Sequence, residues 1–286
     1  MMKMRTMKYV CLALTAVMAL GLCGCGSNEP KKDAKPASSD KKVQLKVFAA
    51  ASMTETMNEI AKEYQKSHPN VEITYNFDSS GTLKTQIQNG ADCDLFISAA
   101  QKQMNQLDAA KSGADNKDKL DFIASDTRIN LLENKVALVA PEGNPKDIQS
   151  FEDMAAKLNA GSIRLVMGNS DVPVGQYTQK ILAFYKLDEN ALANAGHISY
   201  GSNVKEVTTQ VKEGSADCGI VYCTDAFSAK LKPLGVATKD MCGQVIYPAA
   251  ILKNSKNKEE AQAFLKYLQS EECLKIFEKV GFSKAE

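Results

Sequence analysis

Histidine is almost absent from this 286-residue sequence. Only His68 and His197 occur, and neither neighbours a Ser or Cys in a recognised nucleophile motif. Cysteine and histidine do not supply the two closely spaced pairs of a zinc site, which argues against metal binding through thiolates. Neither charge dominates, with 35 Lys and Arg against 34 Asp and Glu, so the basic face required by a nucleic-acid binder is missing. Nor does any segment repeat at a solenoid period. Together these absences weigh against thiolate-metal, nucleophilic and nucleic-acid chemistry, and turn attention to hydroxyls and peptide groups.

The first residues are the most distinctive in composition. Lys3, Arg5 and Lys8 form a positive leader, and residues 9–22 are an apolar run of signal-peptide length, too short to be a membrane span. The run ends in Leu22-Cys23-Gly24-Cys25, which resembles a bacterial lipobox. The expectation is a signal peptide over 1–24, with Cys25 as the lipidated residue. An ordinary secretory signal with incidental cysteines is the alternative. Residues 26–42 are rich in Ser, Pro, Ala, Lys and Asp and read as a flexible tether behind the anchor, giving a segment 25–42. Loss of 1–24 would remove three basic and no acidic groups, changing the net charge from +1 to −2. Beyond Cys25 lie five cysteines, an odd number, so at least one has no intramolecular partner. Cys218 and Cys223 flank an apolar strand pattern and would stand roughly 16 Å apart if it is extended, beyond disulfide reach.

From residue 43 onward, short apolar runs alternate with amphipathic helical patterns. This predicts an α/β architecture with mostly parallel sheets. Strands are expected at 45–51, 71–77, 94–98, 135–140, 163–168, 197–200 and 219–222. Helices are expected over 53–64, 82–89, 175–185, 204–212, 258–269 and 271–280.

Four polar turns fall at strand-to-helix junctions, where open α/β sheets place ligand crevices. In the first, Ser52 precedes Glu55 by three residues, the spacing of a capping box. The same serine could instead offer its hydroxyl, with free amides, to an anion. The second, Asp78-Ser79-Ser80-Gly81-Thr82, has Ser80 as a possible cap and a glycine that lets backbone approach closely. The third is Gly168-Asn169-Ser170-Asp171-Val172-Pro173-Val174-Gly175, a turn rich in Asn, Asp and Pro. The fourth, Gly201-Ser202-Asn203-Val204, has Asn203 as a cap. No Arg lies in any of the four, so converging neutral donors are what they can offer a buried anion. Tyr222, at the end of an apolar strand, reads by default as a core tyrosine with its hydroxyl satisfied.

Val47-Phe48-Ala49-Ala50-Ala51-Ser52, Phe77-Asp78-Ser79-Ser80-Gly81-Thr82-Leu83, Asp94-Leu95-Phe96-Ile97-Ser98-Ala99, Val172-Pro173-Val174-Gly175-Gln176-Tyr177 and Gly219-Ile220-Val221-Tyr222 occur in that order. Together they resemble the periplasmic molybdate-binding proteins of ABC transporters over residues 45–282. The resemblance implies two α/β lobes around a hinge, a type II periplasmic-binding fold that closes like a Venus flytrap. It implies an oxyanion held by Ser52 and Ser80 through hydroxyl and amide, by the amides of Val174 and Val204, and by the Tyr222 hydroxyl. The sequence departs from the family at Asp78, at Gly168-Asn169-Ser170 and at Val174, which is bulkier than the usual alanine.

The expected protein is therefore a non-enzymatic, extracytoplasmic lipoprotein that delivers molybdate or tungstate to an ABC permease. It would use no cofactor, no direct side-chain metal ligand and no nucleic acid. Sulfate is the competing ligand, and an exported phosphate- or sulfate-ester hydrolase the competing activity. An adhesive lipoprotein is disfavoured, having no need of four serine- and amide-lined turns. The lobes are expected at 43–128 together with 242–286, and at 129–241.

Overall fold

The computed structural model describes residues 42–111, 113 and 115–285. Cys25, the signal segment and nearly all of the tether lie outside the described residues. In chain order the strands are β1 (Val43–Ala50), β2 (Val71–Asp78), β3 (Leu95–Ile97), β4 (Ile129–Asn134), β5 (Val136–Val139), β6 (Leu165–Gly168), β7 (Ile198–Gly201), β8 (Cys218–Tyr222), β9 (Pro233–Val236), β10 (Val245–Ile251) and β11 (Ser283–Lys284). They form two sheets, in the orders β11-β4-β10-β3-β1-β2 and β7-β6-β8-β5-β9. Each sheet carries helices and builds one lobe.

The central strands are continuous apolar runs because both faces are covered: β5, β6, β8 and β10 are buried along their whole length. Helices show the opposite pattern, with one apolar stripe. In Thr54–Ser67, the residues Met57, Ile60, Ala61 and Tyr64 face the core, and in Val204–Lys212 the residues Val204, Val207 and Val211 do so. The helices Lys258–Tyr267 and Glu271–Val280 pack back onto the first lobe and bury Phe264, Leu265, Ile276 and Phe277.

Two expectations change. The sheets are mixed rather than mostly parallel: β1 runs parallel to β2 and β3, and β6 to β7 and β8, whereas β5 and β10 pair antiparallel with both their neighbours. A strand arriving from the other lobe enters its sheet from the opposite end, which reverses its direction. The crossing point also moves. β4 pairs with β10 in the first sheet, so residues 129–134 join the first lobe, and the chain passes to β5 in the second sheet through Lys135 alone. It returns between β9 and β10. The two passages are neighbours, since Asn134 pairs with Val245 and Ala137 with Val236.

All five cysteines among the described residues are free thiols. Cys218 and Cys223 stand at the start of β8 and just past its end, consistent with their being too far apart to bridge.

Candidate functional site

The carboxyl ends of β1, β2, β6, β7 and β8 converge between the two lobes. Each is followed by a turn or helix start whose first amides have no earlier helical carbonyl to bond. β1 runs into a short 3-10 turn, Ala51–Met53, that carries Ser52. Ser80 is the first residue of the helix Ser80–Gln88. Pro173 and Val174 open the helix Pro173–Phe184, with proline at a position where its missing N–H costs nothing. Val204 opens the helix Val204–Lys212, and Tyr222 ends β8. The five residues singled out by the family resemblance line one small cavity of about 10 Å³, together with Ala50, Ala51, Asp78, Ser79, Ala99, Val172 and Pro173.

The hydrogen bonds around the two serines differ from the local reading. Ser52 does not cap the helix Thr54–Ser67, whose N-cap is Met53 without a side-chain bond. Its Oγ instead lies 2.9 Å from the Tyr247 hydroxyl. Nor does Ser80 cap its helix: Ser79 does, accepting from the Thr82 amide at 3.1 Å. Ser80 Oγ accepts from the Ala99 amide at 2.9 Å, which leaves its own proton free to donate. Asn203 caps as expected, its Oδ1 accepting from the Glu206 amide at 3.1 Å.

Tyr222 departs furthest from its default reading. It is 2% exposed, and its hydroxyl has no well-directed hydrogen-bond partner, although the Tyr247 hydroxyl lies beside it. Burial holds the phenol well above its ordinary pKa, so the proton stays on the oxygen as a donor. A buried hydroxyl without a partner costs roughly 1–3 kcal/mol, a cost that a ligand oxygen would recover.

Asp78 is the one carboxylate on the cavity wall. Its Oδ1 accepts from the Ser79 amide at 2.7 Å and from Asn203 Nδ2, in the other lobe, at 3.4 Å. Those contacts turn that oxygen toward donors of the protein.

Contacts across the cleft show the lobes closed on each other. Lys205 Nζ, in the second lobe, sits 2.8 and 2.9 Å from the two Glu55 oxygens of the first, and 3.3 Å from Asp225 Oδ1. Gly81 packs so tightly against the Asp171 carbonyl that a Cβ built on it would stand 2.2 Å from that oxygen. Asp225 is fully buried, and neither carboxylate oxygen forms a well-directed hydrogen bond. Burial pushes its pKa up to about 6, against the pull of Lys205.

Two residues in this network, Asn134 and Tyr247, were not singled out from the sequence. Asn134 Nδ2 donates to Thr224 Oγ1 at 3.0 Å and to the Tyr247 hydroxyl at 3.2 Å. Among the described residues no group of three or more His, Cys, Asp or Glu is placed to hold a metal ion.

Two α/β lobes shut over a small cavity lined by uncharged donors define a binding protein that encloses its ligand. The chain belongs to the bacterial extracellular solute-binding protein family, whose model matches residues 45–283. It is 36% identical to YvgL of Bacillus subtilis, a candidate ABC transporter substrate-binding lipoprotein, over 95% of each chain. It is 33% identical to the molybdate-binding protein ModA of Haemophilus influenzae, over 84% of this chain and 90% of that one. The periplasmic molybdate-binding protein of Azotobacter vinelandii shares the fold, with a TM-score of 0.71 at 21% identity over 85% of this chain and all of the other. Among the described residues no helix is long and apolar enough to cross a membrane.

Proposed function

We propose that this protein captures molybdate or tungstate outside the cytoplasm, delivers it to the permease of an ABC importer, and is held at the membrane by lipid on Cys25. The observation that carries the reading is the single cavity shared by Ser52, Ser80, Val174, Val204 and Tyr222, with Tyr222 presenting a buried hydroxyl that has no well-directed protein partner. Hydroxyls and first-turn amides from both lobes would replace the water shell of a tetrahedral dianion. Being neutral, they stabilise it by directed dipoles without a fixed counter-charge that would slow release.

Closure is part of the same mechanism. Donors from one lobe alone cover one side of the anion, and the second lobe completes the shell only when Gly81 meets Asp171 and Lys205 meets Glu55. The ligand thus stabilises the closed form by the contacts that only that form offers. Relatives named as substrate-binding proteins support a binding role over ester hydrolysis. The relatives named for molybdate favour that ion and its near-isostere tungstate over sulfate, which the neutral donors could equally hold.

Thermal unfolding with added molybdate, tungstate, sulfate or phosphate tests this directly. A ligand at one hundred times its Kd should stabilise the protein by about 2.7 kcal/mol. Molybdate and tungstate should raise the melting temperature at concentrations where sulfate and phosphate do not. Equal shifts for all four, or none, would reject the assignment. Metabolic labelling with a fatty acid, lost in Cys25→Ala, tests the anchor.

A further inference from the structure

A line of hydrogen bonds runs from the crossing between the lobes to the cavity, and its direction can be worked out bond by bond. Asn134 ends β4, and its Oδ1 accepts from the Lys135 amide at 2.8 Å. That bond fixes which end of the side-chain amide faces which way, so Nδ2 must supply the contacts on the other side. It has two protons and two acceptors within reach, Thr224 Oγ1 at 3.0 Å and Tyr247 Oη at 3.2 Å. The Tyr247 oxygen therefore receives a proton from Asn134. Its own proton has Ser52 Oγ as partner, at 2.9 Å. Pairing that buried proton requires the bond to run from Tyr247 to Ser52 Oγ, and the serine proton is then left over.

Burial limits what can reverse this order, and the Tyr222 hydroxyl, whose ring stands 5.7 Å from that of Tyr247, is a competing group. Asn134 and Tyr247 are 2% and 0% exposed and Ser52 is 4% exposed, so bulk water does not compete for the protons. Ser52 also borders the cavity, which is the remaining direction in which its proton can be used.

We propose that Asn134 and Tyr247 are positioning residues that hold the Ser52 hydroxyl as an obligate donor toward the bound oxyanion. The inference rests on the reading of the cavity as an oxyanion site and deepens it by identifying what sets the polarity of one of its donors. It also gives the crossing segments a second task. Asn134 and Tyr247 lie on the paired strands β4 and β10 beside the passages between lobes, and Thr224 lies two residues beyond Tyr222 in the second lobe. The group that orients a first-lobe donor is thus bonded to the segment that carries a second-lobe donor.

Titration calorimetry with sodium molybdate on wild type, Ser52→Ala, Tyr247→Phe and the double variant tests the relay. Tyr247→Phe removes one buried oxygen and adds no volume, so its melting temperature reports whether the fold is kept. Loss of the orienting bond should weaken binding by about tenfold, the lower end for a hydrogen bond to a charged group. The double variant should bind no more weakly than Ser52→Ala alone, since Tyr247 acts only through Ser52. Asn134→Asp supplies a sharper test. It replaces the donor by an acceptor, so Tyr247 turns to the new carboxylate, Ser52 donates to Tyr247, and the cavity loses a proton. Binding should then fall below that of Tyr247→Phe and return to the Tyr247→Phe level when both changes are combined. Simple repulsion by the added charge would persist in the combined variant and would overturn the relay. So would Tyr247→Phe binding within twofold of wild type, or losses in Ser52→Ala and Tyr247→Phe that add. If Asn134→Asp does not fold, the Ser52 and Tyr247 cycle decides the matter alone. Wild type that binds none of molybdate, tungstate or sulfate removes the site reading and the relay together, whereas a failed cycle in a wild type that binds removes only the relay.

Discussion

Gly81→Ala should separate the stability of the protein from its ability to bind. Gly81 is the second residue of the helix Ser80–Gln88 and has no left-handed φ, so its own lobe accepts a methyl group without backbone strain. Alanine is in fact the better helix former, by up to about 1 kcal/mol. The obstacle is across the cleft, where the new Cβ would stand 2.2 Å from the Asp171 carbonyl oxygen, 2.9 Å from its carbon and 3.0 Å from the Asp171 Cβ. Relieving that overlap requires the lobes to part by roughly 1 Å at this point. Hydrogen bonds from the opposite lobe, normally within about 2.7–3.2 Å, would then be out of range. Two charge-assisted bonds lost at about 1.5–3 kcal/mol each amount to about 3–6 kcal/mol, or roughly a hundredfold to ten-thousandfold in Kd. Calorimetric titration with molybdate measures the affinity, and melting without ligand measures the fold. An unchanged melting temperature with a collapse of affinity is the expected pair. Wild-type affinity in Gly81→Ala would refute the argument that binding requires the closure seen here.

Tyr222→Phe should move two quantities in opposite directions. Removing a buried hydroxyl without a well-directed partner should leave the ligand-free protein as stable or up to about 2 kcal/mol more so, while binding weakens by about 1.5–3 kcal/mol. A matched loss in both would mean that the hydroxyl is satisfied inside the protein. Ser80→Ala should cost a similar amount of affinity, and a change within error would reassign Ser80 to holding the Ala99 amide. Asp225 predicts a pH dependence. Its folded pKa, pushed up to about 6 by burial, exceeds the unfolded value. The stability it contributes is therefore fully present below about pH 4 and is lost as the pH rises through about 6. A shift of about two units corresponds to about 3 kcal/mol at most. Asp225→Asn should flatten the melting profile between pH 4 and 7, and an unaltered profile would show that Asp225 does not govern it.

Much of the cradle was legible because its parts are local. Each donor sits at a junction where an apolar run gives way to a helical period, and ordered motifs tied those junctions to one family. What local pattern could not show is which distant group a side chain meets. The Ser52 to Glu55 spacing reads as a capping box, yet Ser52 bonds Tyr247, which is 195 residues away. β10 escaped notice for a physical reason: it is buried on both faces and so lacks alternation, and Pro248 interrupts it. That proline coincides with the register shift against β4 between Tyr247 and Pro248. β4 was hidden for a different reason, because its role comes from pairing with a strand more than a hundred residues later. With both crossing strands unseen, the lobe border and the Asn134–Tyr247 pair were out of reach.

The crossing at Lys135 has a mechanical consequence. Two adjacent passages along one side of the molecule behave like pins on a door, permitting a swing about one axis while resisting slide and twist. If the ligand closes the lobes, the angle of that swing is a single variable that falls as occupancy rises. A membrane partner gripping both lobes could read cargo from their separation alone, without touching the ion.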